Sequence, residues 1–287
     1  MSRKLVVSLL PGATEMVVAL GAQESLVGIS HECDWPPIIR GLPRVTATPV
    51  DPAQSSAAIH QAVQDAVAAG RSVIGIEAEI LRALGPDVII TQVLCDVCAV
   101  ADGEAMRLAD AMTPSPRVVA LDGRTLTGVW NDIRTLAVVL DRVGEGEALL
   151  GRLGAEVAAI AAQRRIGRPP RVVAIEWLDP LFLAGHWVPD MIAAAGGVDV
   201  GARSGDHSTV RSWDELYQLD PDVVLIVLCG FDEARARSEL AALQDVAARA
   251  WLTARHTVVL DGNAYTSRPG PRLVDGIRLM ASAISGR

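Results

Sequence analysis

"LGPDVII", residues 84–90, and "LDPDVVL", residues 219–225, decide how this chain folds. Each sets Pro-Asp directly before a run of Val, Ile and Leu, the composition of a short buried strand. The second lies 135 residues after the first, at 219 against 84. "VVALDG" (118–123) and "TVVLDG" (257–262) repeat in the same order, displaced by 139. Two matches at nearly one offset predict two similar lobes.

Around those motifs, strand-like and helix-like stretches alternate. "KLVVSLL" (4–10), "SLVGIS" (25–30), "DVIITQ" (87–92) and "RVVALD" (117–122) are β-rich, with periodic stretches such as "ATEMVVAL" and "GEAMRLADAM" between them. That order predicts an α/β fold with a mainly parallel sheet. Val129, Ile133, Leu136, Leu140 and Val143, then Leu149, Leu153, Val157 and Ile160, recur at helical spacing. The second of these segments would reach about 30 Å as a helix of about 20 residues. "GRPPR" (167–171) ends it, since proline cannot continue a helix. The expectation is two Rossmann-like α/β lobes, 1–125 and 169–287. A helical linker, 126–168, joins them through one long helix, with a ligand cleft between the lobes.

Half of the 287 residues are hydrophobic and 21% are charged, enough apolar surface for sizeable cores. Net charge is −8 and no Lys/Arg stripe forms, which argues against nucleic acid and an anionic membrane surface as partners. No apolar run is long enough for a membrane span. "MSRKLVVSLLPGATEMV" mimics the start of a signal peptide, but its short apolar run lacks a small-x-small site and reads as a first strand. That reading and the CxxC at 95–98 favour a cytoplasmic location.

In open α/β sheets ligands bind beyond the carboxyl ends of the strands. Thr14, in "PGATE", is placed to cap the helix after the first strand. "SLVGIS" leads to His31, Glu32, Cys33, Asp34 and Trp35. "DVIITQ" leads to Gln92, Cys95, Asp96 and Cys98. In the second half the strand ends lead to Trp177, Asp179, His186 and Trp187, to Cys229 and Phe231, and to Tyr265 and Arg268. All four cysteines and most of the ten aromatics fall there, which points to an aromatic-lined pocket for a small molecule.

The cysteine pair has several readings. It fills space, since free cysteine is often buried; it contacts the ligand; or it exchanges electrons. Alternatively, Cys95 and Cys98 join His31, Cys33, His186 and Cys229 in a zinc or iron site. His60 reads as a surface residue, His256 as structural, and His207 as a loop residue within reach of the pocket. "SRPGPR" (267–272) reads either as the entry to the last helix, with proline near its first position, or as a carboxylate-, amide- or phosphate-binding site through Arg268.

With these residues in place, the chain resembles the class III, helical-backbone ABC-type substrate-binding proteins, and most of all their cobalamin-binding branch. The likeness runs from "SLLPGATEMVVALGAQESLVGISHECDWP" (8–36) to "SRPGPRLVDGIRLMA" (267–281). It implies capture of a corrinoid or related metal chelate, with Trp35, Trp177 and Trp187 as flat walls. Gln92, Asp179 and Arg268 would orient peripheral amides, and His31 or His186 would approach the cobalt. It also implies docking on an ABC permease and a periplasmic or extracellular location in exported members.

A binding protein is favoured over an enzyme, because no nucleophile elbow, phosphate loop or dinucleotide fingerprint occurs. The alternatives are a metal-binding protein or metalloenzyme using cleft Cys and His residues, and a receptor for a peptide or siderophore.

Overall fold

Asp87 and Asp222 show why the Pro-Asp pair recurs. A computed structural model of the chain describes residues 3–93, 102–163 and 167–286. In it, the N–H of Leu5 donates to Asp87 Oδ2 at 2.7 Å, and the N–H of Arg171 donates to Asp222 Oδ2 at 2.7 Å. The backbone answers in the other direction: Asp87 N donates to Leu5 O and Asp222 N to Arg171 O, both at 2.8 Å. In each case one aspartate ties the start of its own strand to the start of the neighbouring one. The residue two before it, Gly85 or Asp220, closes the preceding helix in the left-handed region, at φ 53° and 39°. The two sequence repeats are therefore one structural device used twice.

The backbone packs into two compact units. The first is Met1–Gln54, Gln61–Gly123 and Gly128–Leu150; the second is Ser55–His60, Arg124–Thr127 and Gly151–Arg287. The first holds β1 (Val6–Ser8), β2 (Leu26–Ile29), β3 (Thr46–Ala47), β4 (Gly75–Ile76), β5 (Val88–Gln92) and β6 (Arg117–Leu121). Four of these form a parallel sheet in the order β2-β1-β5-β6, with Val6 beside Val88, and β3 pairs antiparallel with β4. Val7, Leu9, Val45, Ile74, Leu81, Ile89 and Ala105 form its core. Burial of such side chains contributes about 1.5–3 kcal/mol each before chain entropy is set against it.

The second unit holds β7 (Arg171–Leu178), β8 (Leu181–Leu183), β9 (Val198–Asp199), β10 (Thr209–Val210), β11 (Val223–Ile226) and β12 (His256–Val259). Its sheet runs β10-β8-β7-β11-β12, with β9 also on β7; β7, β11 and β12 are parallel and β8 and β10 antiparallel. Val173, Ile175, Leu183, Leu216, Val224 and Ile226 anchor this core. The chain thus has the expected two-lobed α/β fold. The long helix is Val143–Ala162, 20 residues, and it carries the chain from the first unit into the second.

Two local expectations change. Thr14 caps nothing, because Pro11 opens the first helix after an extended Leu10 that has no side-chain cap. Proline's preset φ starts the helix early. That leaves Thr14 buried inside its first turn, with Oγ1 donating to Leu10 O at 3.2 Å or to Ser8 Oγ at 2.9 Å. The last helix begins at Leu273 behind Arg272, so Pro271 precedes the cap instead of occupying the first helical position.

Replacing Asp87 or Asp222 with Ala removes a charge-assisted bond to a strand N–H and should lower stability by about 1–3 kcal/mol. Asn, which keeps one acceptor oxygen, should lose less. Urea unfolding of the four variants checks this; alanine variants as stable as wild type would show the bonds are incidental.

Candidate functional site

In the first unit the loop after β2 is fixed by a dense polar network. Arg44 Nη1 donates to Ser30 O at 3.0 Å and to Cys33 O at 2.5 Å, and Thr46 Oγ1 donates to Ser30 Oγ at 3.1 Å. The hydroxyl proton of Thr46 is thereby used, so its oxygen accepts both the backbone N–H of His31, at 2.9 Å, and the ring Nδ1–H, at 2.7 Å. His31 is then the Nδ1–H tautomer with a lone pair on Nε2, and that Nε2 is buried without a partner among the described residues. Burial lowers the His31 pKa, Glu32 opposes the shift, and Arg44 adds to it.

Cys33 is buried, 1% exposed, with Sγ 3.1 Å from Thr14 Oγ1. Glu32, Asp34 and Trp35 face solvent, and Trp35 keeps 45% of its surface exposed beside Ile38 at 69%. Gln92 ends β5, half-buried; Cys95, Asp96 and Cys98 lie outside the described residues.

In the second unit, His186 holds left-handed backbone, φ 54°, a conformation uncommon for a residue with a Cβ. Two bonds impose it: His186 N donates to Asp206 O at 2.6 Å, and Gly205 N donates to His186 O at 2.9 Å. Gly185 is required beside it, since a Cβ there would collide with the backbone of Asp206–Ser208. Strain of this kind persists where the surroundings over-determine it, and it concentrates at functional sites. The His186 ring lies edge-on to His207 at 5.2 Å and tilted against Trp187 at 5.6 Å. Its Nε2 is buried and has no partner among the described residues. Burial lowers its pKa, and His207 and Arg124 reinforce the effect. The ring is thus held neutral, the form that ligates metals.

Other expected residues fall differently. Trp187 is not an open wall: it is 7% exposed, and its Nε1–H donates to Thr266 O at 2.8 Å inside the unit. A buried indole needs that acceptor, which is why it turns inward. Arg268 is 6% exposed, and its Nη2 donates to Asn263 Oδ1 at 2.9 Å, an internal role in place of an open fork. Trp177 is half-buried against Phe231, ring centres 5.3 Å apart, and its Nε1–H donates to Asp179 O at 3.1 Å. Asp179 is exposed, and Cys229 and Tyr265 are half-buried. His60, expected at the surface, packs its ring 5.9 Å from Phe182. His256 is structural as expected, with Nε2 2.8 Å from Ala283 O. Among the described residues no three His, Cys, Asp or Glu side chains gather to hold a metal. The expected set of His31, Cys33, Cys95, Cys98, His186 and Cys229 includes Cys95 and Cys98, which lie outside the described residues.

His207 was read from the sequence as a loop residue within reach of the pocket; Arg124, Asp199 and Thr209 were not singled out. Arg124 Nη1 donates to His207 Nε2 at 3.1 Å, and His207, Asp199 and Thr209 line one pocket. Their signal was the polar, glycine-bearing run "DVGARSGDHSTV" (199–210) between two short strands.

The periplasmic binding protein family model matches residues 6–254. The chain belongs to that family. Its fold is that of the helical-backbone, class III members. This binding protein is similar to the periplasmic heme-binding protein RhuT from Roseiflexus sp. RS-1, at 24% identity and TM-score 0.72, covering 99% of each chain. It is similar to the vitamin B12-binding protein BtuF of Vibrio cholerae, at 19% identity and TM-score 0.67, covering 98% of this chain and 96% of that one. The heme-binding protein BhuT, solved with two hemes, matches at 24% identity and TM-score 0.69 over 98% of this chain and 99% of that one. At these identities the likeness establishes the fold. No curated protein sequence matches this binding protein. The family implies an extracytoplasmic location, and the cytoplasmic expectation is not supported. Among the described residues no helix is long and apolar enough to cross a membrane.

The depressed histidines have a pH signature. Their unfolded pKa, about 6.5, lies above the folded one, so the unfolded chain takes the proton first as pH falls. The stability of the neutral form is complete above pH 6.5 and is lost as pH drops toward the folded value. Asp132 and Asp199, which burial raises to about 6, act in the opposite sense. The difference between wild type and the His31→Gln/His186→Gln variant isolates the imidazoles. Melting temperatures between pH 7.5 and 5 should fall more steeply for wild type; parallel curves would contradict the assignment.

Proposed function

We propose that this periplasmic binding protein carries a corrinoid, a flat cobalt chelate, as cargo for an ABC permease, and that His186 supplies an axial nitrogen to the metal. The observation that carries the reading is the His186 ring: neutral, in strained backbone fixed from both sides, with a buried Nε2 that lacks a partner among the described residues. A buried polar atom left unpaired costs about 1–3 kcal/mol, which coordination to cobalt would offset. Half-buried Trp177, near the end of β7 and packed on the buried ring of Phe231, supplies apolar aromatic surface in the same unit, suited to a flat macrocycle. Four of the similar solved structures are named for binding heme and one for vitamin B12, which supports a flat metal chelate as the class of cargo.

The purified protein, mixed with hydroxocobalamin and gel-filtered, should retain near-stoichiometric cobalt with a shifted visible spectrum. His186→Ala should lose the shift and bind at least about tenfold more weakly, the value of one good polar interaction. Retention of hemin but no corrinoid would replace the cargo. An unchanged spectrum and affinity in His186→Ala would remove the histidine from the site.

A further inference from the structure

Beside His207 the second unit has a pocket of about 390 Å³. Asp199, Arg203, Asp206, His207, Thr209 and Arg211 line it. Asp199 Oδ1 is occupied, accepting the N–H groups of Gly201 at 2.8 Å and Ala202 at 3.0 Å. Its Oδ2 is buried with no hydrogen-bond partner among the described residues, and so is Thr209 Oγ1. Both residues line the pocket, and each carries one buried oxygen that calls for a partner.

We infer that this pocket is a subsite for a carboxamide arm of the cargo, and that it selects an amide-bearing corrinoid over a carboxylate-bearing tetrapyrrole; the inference rests on the chelate reading above. A primary amide carries two N–H donors and a carbonyl acceptor. The N–H groups match Asp199 Oδ2, while the carbonyl takes the Thr209 hydroxyl or the Arg203 or Arg211 guanidinium. A carboxylate arm can pair with Arg203 or Arg211, but it offers no donor, so Asp199 Oδ2 stays unmet and faces a like charge. A bare cation is opposed by both arginines. Burial that raises the Asp199 carboxyl to about 6 is consistent with an acceptor short of donors. The 5.2 Å contact between the His186 and His207 rings places the pocket next to the proposed metal ligand.

Asp199 and Thr209 would then do the work that the sequence assigned to Asp179 and Arg268. Asp179 is exposed, and Arg268 turns inward to Asn263.

The test titrates the full chain with diaquocobinamide, whose arms are amides, and with diaquo cobyrinic acid, the same corrin with carboxylate arms. Wild type should favour the first by about tenfold or more, the contribution of one or two hydrogen bonds. Asp199→Asn keeps an oxygen for Gly201 and Ala202 but presents a donor to the pocket, so it should erase that preference and strengthen binding of the acid. Thr209→Val, which preserves shape, should weaken the preference and serves if Asp199→Asn fails to fold by circular dichroism. An unchanged ratio in the folded variants would overturn the subsite while leaving His186-dependent binding intact. Retention of neither corrinoid by wild type would overturn the chelate reading, and the subsite with it.

Discussion

Each sheet depends on an aspartate carboxylate that accepts the N–H at the start of a neighbouring strand. Asp87 holds Leu5 and Asp222 holds Arg171, each at 2.7 Å. The bond sets where β5 begins against β1, and β11 against β7. Because parallel strands share direction, fixing their starts also fixes where their carboxyl ends emerge. The segments that leave those ends, at 9–10 after β1 and at 227–231 after β11, inherit that placement. Proline before the aspartate keeps the chain extended as the preceding helix ends, and a left-handed residue makes the turn.

From that frame each loop is held by its own set of bonds, side-chain in the first unit and backbone in the second. His31 is oriented by Thr46, and the arginine that helps shape its loop binds carbonyls. His186 is held between Asp206 O and Gly205 N. In both loops one buried imidazole nitrogen has no hydrogen-bond partner among the described residues. A hydrophobic site would not need a neutral histidine in strained backbone, and a structural metal site would gather more donors than the described residues bring together. A single nitrogen beside aromatic surface suits a metal that arrives already chelated.

Much of this was legible in the sequence, because it is periodic and local. The Pro-Asp repeats, the β-rich runs and the long apolar-faced helix of 143–162 are signals of backbone geometry, and the structure reproduces them. The strand-end logic also pointed to His31 and His186. It failed where a side chain's direction depends on tertiary surroundings. Trp187 sits where an aromatic wall was expected but finds its acceptor inward, at Thr266. Arg268 finds Asn263 five residues away, and Thr14 is enclosed because Pro11 started its helix early. Asp199 and Thr209 carry no motif; they stand out only because one buried oxygen on each has no partner among the described residues.

Electron paramagnetic resonance of the protein loaded with cob(II)inamide, which has no nitrogenous base of its own, tests the central claim most directly. With natural-abundance protein each cobalt line should split into three from a single 14N donor. With 15N-labelled protein it should split into two, and in His186→Ala the splitting should vanish. Unsplit lines in the loaded wild type, or a splitting that survives in His186→Ala and disappears in His31→Ala, would contradict it.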